Sequence, residues 1–489
     1  MNIRSILNIL AALLTLLGFS MLIPAGIAFG FGESDLSGFL YSFIITIIIG
    51  LPIWFFTRKG YSVTNKDGFA IVTFAWIITG IVGALPFYLS GAIPNVTDAF
   101  FESMSGVTTT GATIIGNPVT LPHLPNGIES LPHGILFWRS FIQWIGGMGI
   151  IVFTIAILPL LGVSGVQLFK AEVPGPVSDK IRPRVRETAK YLWMVYIGFT
   201  IAEIIMLKIA GMDWFDAVCH SFTTMPSGGF STKNASIGSY DNVGIHYIII
   251  FFMFITGVNF SLHFRAITGD IKSYFRNSEF LTYFWLIAIV TVVFTFSLVI
   301  RSGNWSHALF LDSLFQTVSI LTSTGYTIAD YDLWAFFAQF ILLILMFVGS
   351  MGGSTGGGMK IVRVMLILKY AALETRRMLH AKAIIPIRIG EKYISGDVIR
   401  NTLGFFLFYI FIFVFTSFFL TTLNIDLKSS MGVAASALGN TGPALGEFGP
   451  TDNYALLPGA GKWLLTFCML LGRLEIFTVV VLFSRTFRR

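Results

Sequence analysis

The chain is poor in charged residues. Only 12% of its 489 residues are charged, about half the fraction usual in soluble domains, whereas 55% are hydrophobic and the mean hydropathy is +0.78. Apolar runs of about 20 residues, the length that crosses a hydrocarbon core, recur along the whole chain. The polar stretches between them are too short to form a soluble domain. We therefore expect a polytopic membrane protein.

Cysteine is also scarce, and the motifs of common enzymes are missing. The two cysteines, Cys219 and Cys468, lie in apolar or pore-like stretches, which argues against a disulfide framework. The sequence has no CxxC or HExxH motif, no paired carboxylates within a span and no Ser/His/Asp set. The segment "GSTGGGMK" places a methionine where a phosphate-binding loop needs its lysine. We expect no enzyme and no organic cofactor.

The net charge of +7 raises the question of nucleic-acid binding, but its distribution favours membrane topology instead. Most Lys and Arg residues lie at the two termini or in four connecting segments, as the positive-inside rule predicts for cytoplasmic regions. These segments lie around 58–66, 170–190, 265–276 and 360–400. We expect no nucleic-acid partner, and both termini in the cytoplasm. The first apolar run, from Ile6 to about Phe29, is too long for a signal peptide and is expected to remain as a spanning helix.

A polar segment of about 15 residues occurs four times. Its copies read "DAFFESMSGVTTTGA", "DAVCHSFTTMPSGGF", "DSLFQTVSILTSTGY" and "SSMGVAASALGNTGP". Each copy places a glycine 13 residues after its first residue, and each first residue is a good helix N-cap. The expected N-caps are Asp98, Asp216, Asp312 and Ser429, and the glycines are Gly111, Gly229, Gly325 and Gly442. Each copy is therefore predicted to form a short re-entrant helix followed by an extended strand.

Long apolar segments flank every copy. Those before the copies span about 68–92, 184–210, 278–301 and 398–424, and those after them span about 134–162, 244–268, 334–370 and 458–486. Two further helices, near 5–29 and 38–57, make ten spans. We predict an all-α polytopic membrane protein with four tandem helix–pore-helix–helix units in a pseudo-fourfold arrangement around one pore. The predicted regions are 1–62 for the N-terminal helices, and 63–170, 171–275, 276–390 and 391–489 for the units.

The four strands are predicted to form a cation filter. Non-helical backbone at membrane depth persists only when it is buried in protein or lines a watery cavity. Rings of main-chain carbonyls can replace the water shell of K⁺, and glycine adopts the backbone angles that such rings require. A single glycine would indicate an ordinary turn; four in one register favour a filter. Its predicted members are Thr109, Thr110, Gly111, Ser227, Gly228, Gly229, Ser323, Thr324, Gly325, Asn440, Thr441 and Gly442.

The whole chain resembles the Trk/Ktr/HKT superfamily of potassium transporters, and most closely its TrkH type. The most specific segments are "FFESMSGVTTTGAT", "WIGGMGIIVFTIAILPLLGV", "SGGFSTKNASIG", "GGSTGGGMKIVRV" and "LGRLEIF". The resemblance implies K⁺ as the transported ion, a homodimer in the bacterial inner membrane, and a cytoplasmic nucleotide-binding regulatory subunit of the TrkA type. In related plant transporters, serine in place of the first filter glycine accompanies Na⁺ transport, so Gly111 favours K⁺.

Two features near the predicted filter indicate a gate. The first is "GSMGGSTGGGMK", residues 349–360, because six glycines in twelve residues break a helix. Close helix packing is an alternative explanation of these glycines. The family has an intramembrane loop at these residues, which implies gate positions at Gly349, Gly352, Gly353, Gly356, Gly357 and Gly358. The second feature is Arg473, an intramembrane cation that repels K⁺ if it faces the axis. A structural ion pair, for example with Glu475, is the alternative, although residues two apart on a helix point in different directions. The family assigns an arginine here to the repelling role.

Other polar groups near the predicted filter have structural explanations, and other functions are disfavoured. Glu102, Arg139 and His220 are expected to brace the filter, and a metal site at His220 is disfavoured because no second ligand is near in sequence. A secondary transporter with inverted repeats is disfavoured because the four copies share one orientation. The alternative function is a Na⁺- or H⁺-coupled cation symporter, because the sequence does not distinguish passive from coupled transport.

Overall fold

The computed structural model describes residues 2–58, 64–116, 120–149, 185–379, 386–390 and 392–483. Within these ranges nearly all regular structure is helical, and the β-structure is one antiparallel pair, β1 (Arg388–Ile389) with β2 (Lys392–Tyr393). The all-α polytopic class predicted from the sequence is therefore confirmed. Of the basic segments predicted to be cytoplasmic, residues 59–63, 170–184, 380–385 and 391 lie outside the described ranges, as do the C-terminal arginines after 483.

Two apolar stretches precede the repeats. The first consists of α1 (Ile3–Ser20) and α2 (Leu22–Phe31), which are separated at Met21, and the second is α3 (Leu36–Phe56). Together α1 and α2 are long and apolar enough to cross a membrane, as is α3. These helices pack against each other and against α4 (Asn65–Leu89), the first helix of the repeats.

Four repeats follow, each with a long helix, a short buried helix, a non-helical strand and an outer helix. The first contains α4, α5 (Val96–Val107) and α6 (His133–Gly147); the second contains α7 (Val185–Ile209), α8 (Trp214–Thr224), α9 (Val243–Thr256) and α10 (Phe260–Ile267), followed by α11 (Ser273–Arg276). The third contains α12 (Ser278–Ser302), α13 (His307–Leu321), α14 (Phe336–Val348) and α15 (Ile361–Leu379); the fourth contains α16 (Gly396–Thr422), α17 (Leu427–Gly439), α18 (Gly459–Arg473) and α19 (Phe477–Phe483). A short 3-10 helix follows every strand, at Gly127–Ser130, Ser236–Ser239, Tyr331–Leu333 and Gly446–Phe448.

The contacts between helices form a closed ring. Each short helix packs against an outer helix of the preceding repeat: α8 against α6, α13 against α9, and α17 against α14. The ring closes because α5 of the first repeat packs against α18 of the fourth. The four repeats therefore surround one axis in the pseudo-fourfold arrangement that the sequence predicts.

The short helices begin earlier than predicted. Their N-caps are Asn95, Asp213, Ser306 and Asp426, whose side chains accept hydrogen bonds from main-chain N–H groups of the first turn. The residues predicted as caps lie within the helices instead. Two of these acids have other partners: Asp98 accepts from Lys462 Nζ at 2.6 Å, and Asp216 accepts from the Tyr240 hydroxyl at 2.7 Å. Several capping residues precede each helix, so the repeat register alone misplaced the starts.

The outer helices of the second, third and fourth repeats are each broken within the segments that were predicted as spans. The described residues contain six helices that are long and apolar enough to span a membrane, or seven if α9 and α10 count as one span bent by 102°. At that bend Asn259 caps α10, and the Phe260 N–H donates to the Gly353 oxygen at 3.1 Å. A second break separates α18 from α19, although 458–486 was predicted to be continuous. Residues 150–162 of the first outer segment lie outside the described ranges.

Candidate cation pathway

Each short helix ends in the same backbone conformation. The residue two positions before each predicted filter glycine has a left-handed φ, which is rare for residues with a side chain. These residues are Thr109 (φ 54°), Ser227 (59°), Ser323 (56°) and Asn440 (51°), and the glycines Gly111, Gly229, Gly325 and Gly442 have φ values of 82°, 73°, 80° and 100°. The four strands therefore share one local fold despite their different sequences.

The four glycines lie around one passage. A Cβ atom placed on Gly111 would lie within 3.0 Å of the Gly228 carbonyl oxygen, which belongs to the next repeat. The same relationship joins Gly229 to the Thr324 oxygen, Gly325 to the Thr441 oxygen, and Gly442 back to the Thr110 oxygen. Because this sequence of neighbours returns to the first repeat, the strands encircle a shared axis. Glycine is required at each position by both the left-handed φ and this close approach.

Some polar groups of the strands bond to the protein. The Gly228 oxygen accepts from Gln143 Nε2 at 2.8 Å, and the Gly442 oxygen accepts from the Tyr454 hydroxyl at 2.7 Å. The Thr110 hydroxyl pairs with that of Thr108 at 2.8 Å, and the Asn440 amide donates to Thr110 Oγ1 at 2.9 Å. These hydroxyls therefore make local hydrogen bonds that hold the strands in place.

A buried ion pair is hydrogen-bonded to the residues that follow the first two strands. Arg139 Nε lies 2.9 Å from Glu102 Oε1, and the two side chains are 1% and 0% exposed. Glu102 also accepts from the Ile114 N–H, just after the first strand, and Arg139 donates to the Ser231 oxygen, just after the second. The pair thus joins two neighbouring repeats at the outer side of the strands.

His220 also contacts a residue that follows the second strand. Its Nε2 lies 2.9 Å from Ser231 Oγ, and its Nδ1 lies 2.8 Å from the Asp216 oxygen. Within the described ranges, no group of three or more His, Cys, Asp or Glu side chains is placed to hold a metal ion. The imidazole therefore belongs to the same supporting structure as Glu102 and Arg139.

Residues 349–360 cross beneath the C-terminal ends of the short helices. A Cβ atom on Gly356 would lie within 3.0 Å of the Thr322 oxygen, and one on Gly357 within 3.0 Å of the Gly439 oxygen. The Thr355 hydroxyl donates to the Met225 oxygen at 3.1 Å. These carbonyls end three of the four short helices, where the helix dipole is negative and favours a cation. The loop therefore lies against the partly negative ends of these three helices.

The loop is also hydrogen-bonded to the strands. The Ser323 hydroxyl accepts from the Gly357 N–H at 2.5 Å, and Ser227 Oγ lies 3.1 Å from Thr355 Oγ1. Three of the predicted gate glycines, Gly349, Gly353 and Gly358, have left-handed φ values of 67°, 76° and 75°, which give the loop its turns. At its start, the Gly352 N–H donates to Glu279 Oε1 at 2.7 Å.

Arg473 joins this loop to the first repeat. Its Nη1 donates to the Thr355 oxygen at 2.7 Å, and its Nη2 donates to the Gly146 and Gly147 oxygens at 2.8 and 2.9 Å. The guanidinium group therefore lies among carbonyls that end α6 and carbonyls of the loop. The structure thus places Arg473 next to residues 349–360.

Comparison with known proteins assigns this arrangement to a family. The family model described as "TrkH: Cation transport protein" matches residues 36–488. The chain belongs to the TrkH family. It is 41% identical to the Trk system potassium uptake protein TrkH of Escherichia coli K12, with all of both chains aligned, and 39% identical to the TrkH protein of Halomonas elongata, again over both entire chains.

A solved relative has the same fold as this TrkH-family chain. The crystal structure of the potassium transporter TrkH from Vibrio parahaemolyticus aligns over 100% of both chains, with a TM-score of 0.88 and 38% identity. The relatives are named as transport proteins, so the family is one of transporters and not of enzymes.

Several residues of this TrkH-family site were missed by sequence reasoning. Thr355, Gln143 and Glu279 each contact the strands or the loop, but the sequence analysis singled out none of them. Thr355 lies between glycines in the quoted segment "GSTGGGMK", so a lone hydroxyl in a glycine-rich loop was the available signal. No local signal marked Gln143 or Glu279. Their hydrogen-bond partners, Gly228 and Gly352, are each more than 70 residues away in the sequence.

Proposed function

We propose that this chain is the K⁺-translocating subunit of a Trk-type uptake system. The observation that carries the proposal is the closed ring of four glycine-containing strands. The relatives from E. coli and V. parahaemolyticus are named as potassium transporters, which supports K⁺ as the ion. In this proposal the four strands present main-chain oxygens to one cation, because rings of such oxygens can replace the water shell of K⁺.

The proposed ligands are main-chain carbonyls of the twelve residues at 109–111, 227–229, 323–325 and 440–442. We give least weight to the Gly228 and Gly442 oxygens, because each accepts a hydrogen bond from a side chain. The remaining ten residues are the preferred members. Gly111, which has no hydroxyl group, is the basis for proposing K⁺ over Na⁺.

The proposed gate consists of residues 349–360 and Arg473. Loop residues lie against the C-terminal carbonyls of three short helices, so the loop competes with a cation for this space. Arg473 adds a fixed positive charge on the same side of the ring. Transport then requires the loop and this charge to move away from the axis.

The surroundings of the subunit are proposed from the family and from charge. We propose a homodimer in the bacterial inner membrane with both termini in the cytoplasm. A nucleotide-binding regulatory subunit of the TrkA type would dock on the basic segments at 170–190 and 360–400. The four transport units are proposed at 63–170, 171–275, 276–390 and 391–489, after two N-terminal helices in 1–62.

The test is ion flux into liposomes that contain the purified full-length chain. Uptake of ⁸⁶Rb⁺ is measured against external K⁺ or Na⁺ as competitor, with and without a pH gradient. We expect K⁺ to compete strongly and Na⁺ weakly. Strong competition by both ions would contradict the proposed selectivity. Uptake that requires a Na⁺ or H⁺ gradient would favour the alternative, a coupled cation symporter.

A further inference from the structure

The turn between α18 and α19 contains an unfavourable residue. The Ile476 N–H donates to the Leu471 oxygen at 2.9 Å, and the Glu475 N–H donates to the Gly472 oxygen at 3.3 Å. This pair of bonds defines a Schellman motif, whose left-handed position is usually glycine. Here that position is Glu475, with φ 53°, and the next residue, the β-branched Ile476, has φ 49°. The Glu475 side chain is therefore present at a position where the backbone prefers glycine.

The Glu475 carboxylate forms an ion pair with Arg363, in the first turn of α15. The two side chains are only 18% and 8% exposed, so the pair is largely shielded from solvent. Arg363 is held in place by two further contacts: it donates to the Met359 oxygen at 3.2 Å, and its guanidinium lies 4.2 Å from the centre of the Phe405 ring. The pair therefore fixes the turn after α18 to the end of the intramembrane loop.

Arg473 lies two residues before Glu475, in the last turn of α18. Its hydrogen bonds to Thr355, Gly146 and Gly147 depend on the direction in which this last turn ends. We propose that Glu475 is a positioning residue: its ion pair with Arg363 holds the left-handed turn that keeps Arg473 beneath the ring of strands. This inference rests on the gate proposed above. Movement of α15 away from α18 would then release Arg473 and the loop together.

The test uses ⁸⁶Rb⁺ influx into liposomes that contain the full-length chain, normalised to the amount of inserted protein. Glu475→Gln removes the charge and is expected to raise influx about tenfold, the factor that corresponds to about 1.4 kcal/mol. Glu475→Gly also removes the pair but restores the residue that the left-handed turn prefers, so it should keep Arg473 in place and raise influx less than Glu475→Gln does. A gain of influx is not a result that misfolding produces.

Double variants separate positioning from general support. Glu475→Gln combined with Arg473→Ala is expected to give the same influx as Arg473→Ala alone, and the exchange Arg363→Glu with Glu475→Arg should return influx toward the parent value. The matched control is Glu374→Gln, which removes the half-exposed Glu374–Arg377 pair on α15 and should leave influx unchanged.

Failures of the two proposals can be told apart. If Arg473→Ala raises influx but Glu475→Gln does not, the positioning role is overturned while the gate stands. Independent, multiplying effects of Glu475→Gln and Arg473→Ala would also overturn it. If Arg473→Ala leaves influx unchanged, the proposed gate fails first, and the positioning role fails with it.

Discussion

Arg473 and Thr355 are joined by a hydrogen bond of 2.7 Å from the guanidinium Nη1 to the main-chain oxygen. The bond connects the outer helix of the fourth repeat to the intramembrane loop of the third. Through Nη2 the same side chain reaches the end of α6 in the first repeat. One arginine thus links three repeats on the side of the ring where the loop lies.

Replacing Arg473 with alanine should increase cation flux. The change removes both a positive charge from the pathway and the bonds that hold the loop, and we expect ⁸⁶Rb⁺ influx to rise by about tenfold or more. Arg473→Lys keeps the charge but cannot bond three carbonyls in one plane, so it should give an intermediate rate. The exposed Arg376→Ala serves as the control. Influx that is unchanged in both Arg473 variants would remove this residue from the gate.

Thr355→Val should also open the pathway. Valine keeps the shape of threonine but loses the hydroxyl that contacts the Met225 oxygen and Ser227 Oγ. Each net hydrogen bond contributes about 1 kcal/mol, so influx should rise about fivefold or more. Thr355→Ser retains the hydroxyl and should behave like the parent chain. Equal rates for the valine and serine variants would show that the hydroxyl does not hold the loop.

Breaking the Glu102–Arg139 pair should reduce stability, in contrast to the gate variants. Arg139→Gln leaves a carboxylate that is 0% exposed without its cation, which costs about 3–5 kcal/mol in comparable buried pairs. We expect a large fall in the thermal unfolding temperature in detergent and a loss of uptake. Lys233→Gln removes a side chain that is 37% exposed and lies 3.6 Å from Asp216, so it should cost less than about 1 kcal/mol. Similar losses for the two variants would argue against a bracing role for Glu102 and Arg139.

Asp35, in the turn between α2 and α3, should make stability depend on pH. Burial raises the pKa of its carboxyl to about 6, with a further contribution from neighbouring Glu33. The folded chain then binds the proton more tightly than the unfolded chain, so stability should fall as pH rises from about 4 to about 6. Asp35→Asn should therefore be more stable than the parent by about 1–3 kcal/mol at pH 7.5.

The measurement for Asp35 is thermal unfolding of both chains at pH 4 and pH 7.5. The advantage of Asp35→Asn should be much smaller at pH 4, because the carboxyl of the folded chain is then neutral and that of the unfolded chain, with a pKa of 3.8, is only partly ionised. Asp397→Asn, at a side chain that is 78% exposed, is the control and should show little difference at either pH. An advantage of Asp35→Asn that is the same at both pH values would exclude ionisation as its cause.

The repeat architecture could be predicted because its signals lie within short stretches of sequence. A glycine at a fixed distance from a polar start, four times and between apolar runs, indicates where backbone leaves the helix at membrane depth. Arg473 was also predictable as a functional residue, since an intramembrane cation is costly wherever it lies. Its partners were not predictable, because Thr355 lies 118 residues away in the chain.

Other features depend on contacts in the folded chain, and the sequence alone does not show which of the possible contacts form. The starts of the short helices were misplaced because several acids and serines compete for the cap. The break after α18 was missed because Glu475 gives no sign of a left-handed turn, which glycine would have given. Its partner Arg363 lies 112 residues away, so only the fold brings the two together.

Gly111→Ser tests the central claim, that the four strands form one K⁺ filter, most directly. The measurement is the ratio of K⁺ to Na⁺ competition against ⁸⁶Rb⁺ influx, and a loss of about 1.4 kcal/mol in discrimination would lower it about tenfold. Gly91→Ser is the matched control, because Gly91 has a similar φ of 78° but no atom within 4 Å of an added Cβ, and it precedes the first short helix. We predict that Gly111→Ser lowers the ratio while Gly91→Ser does not. An unchanged ratio in a folded, transporting Gly111→Ser chain would contradict the account.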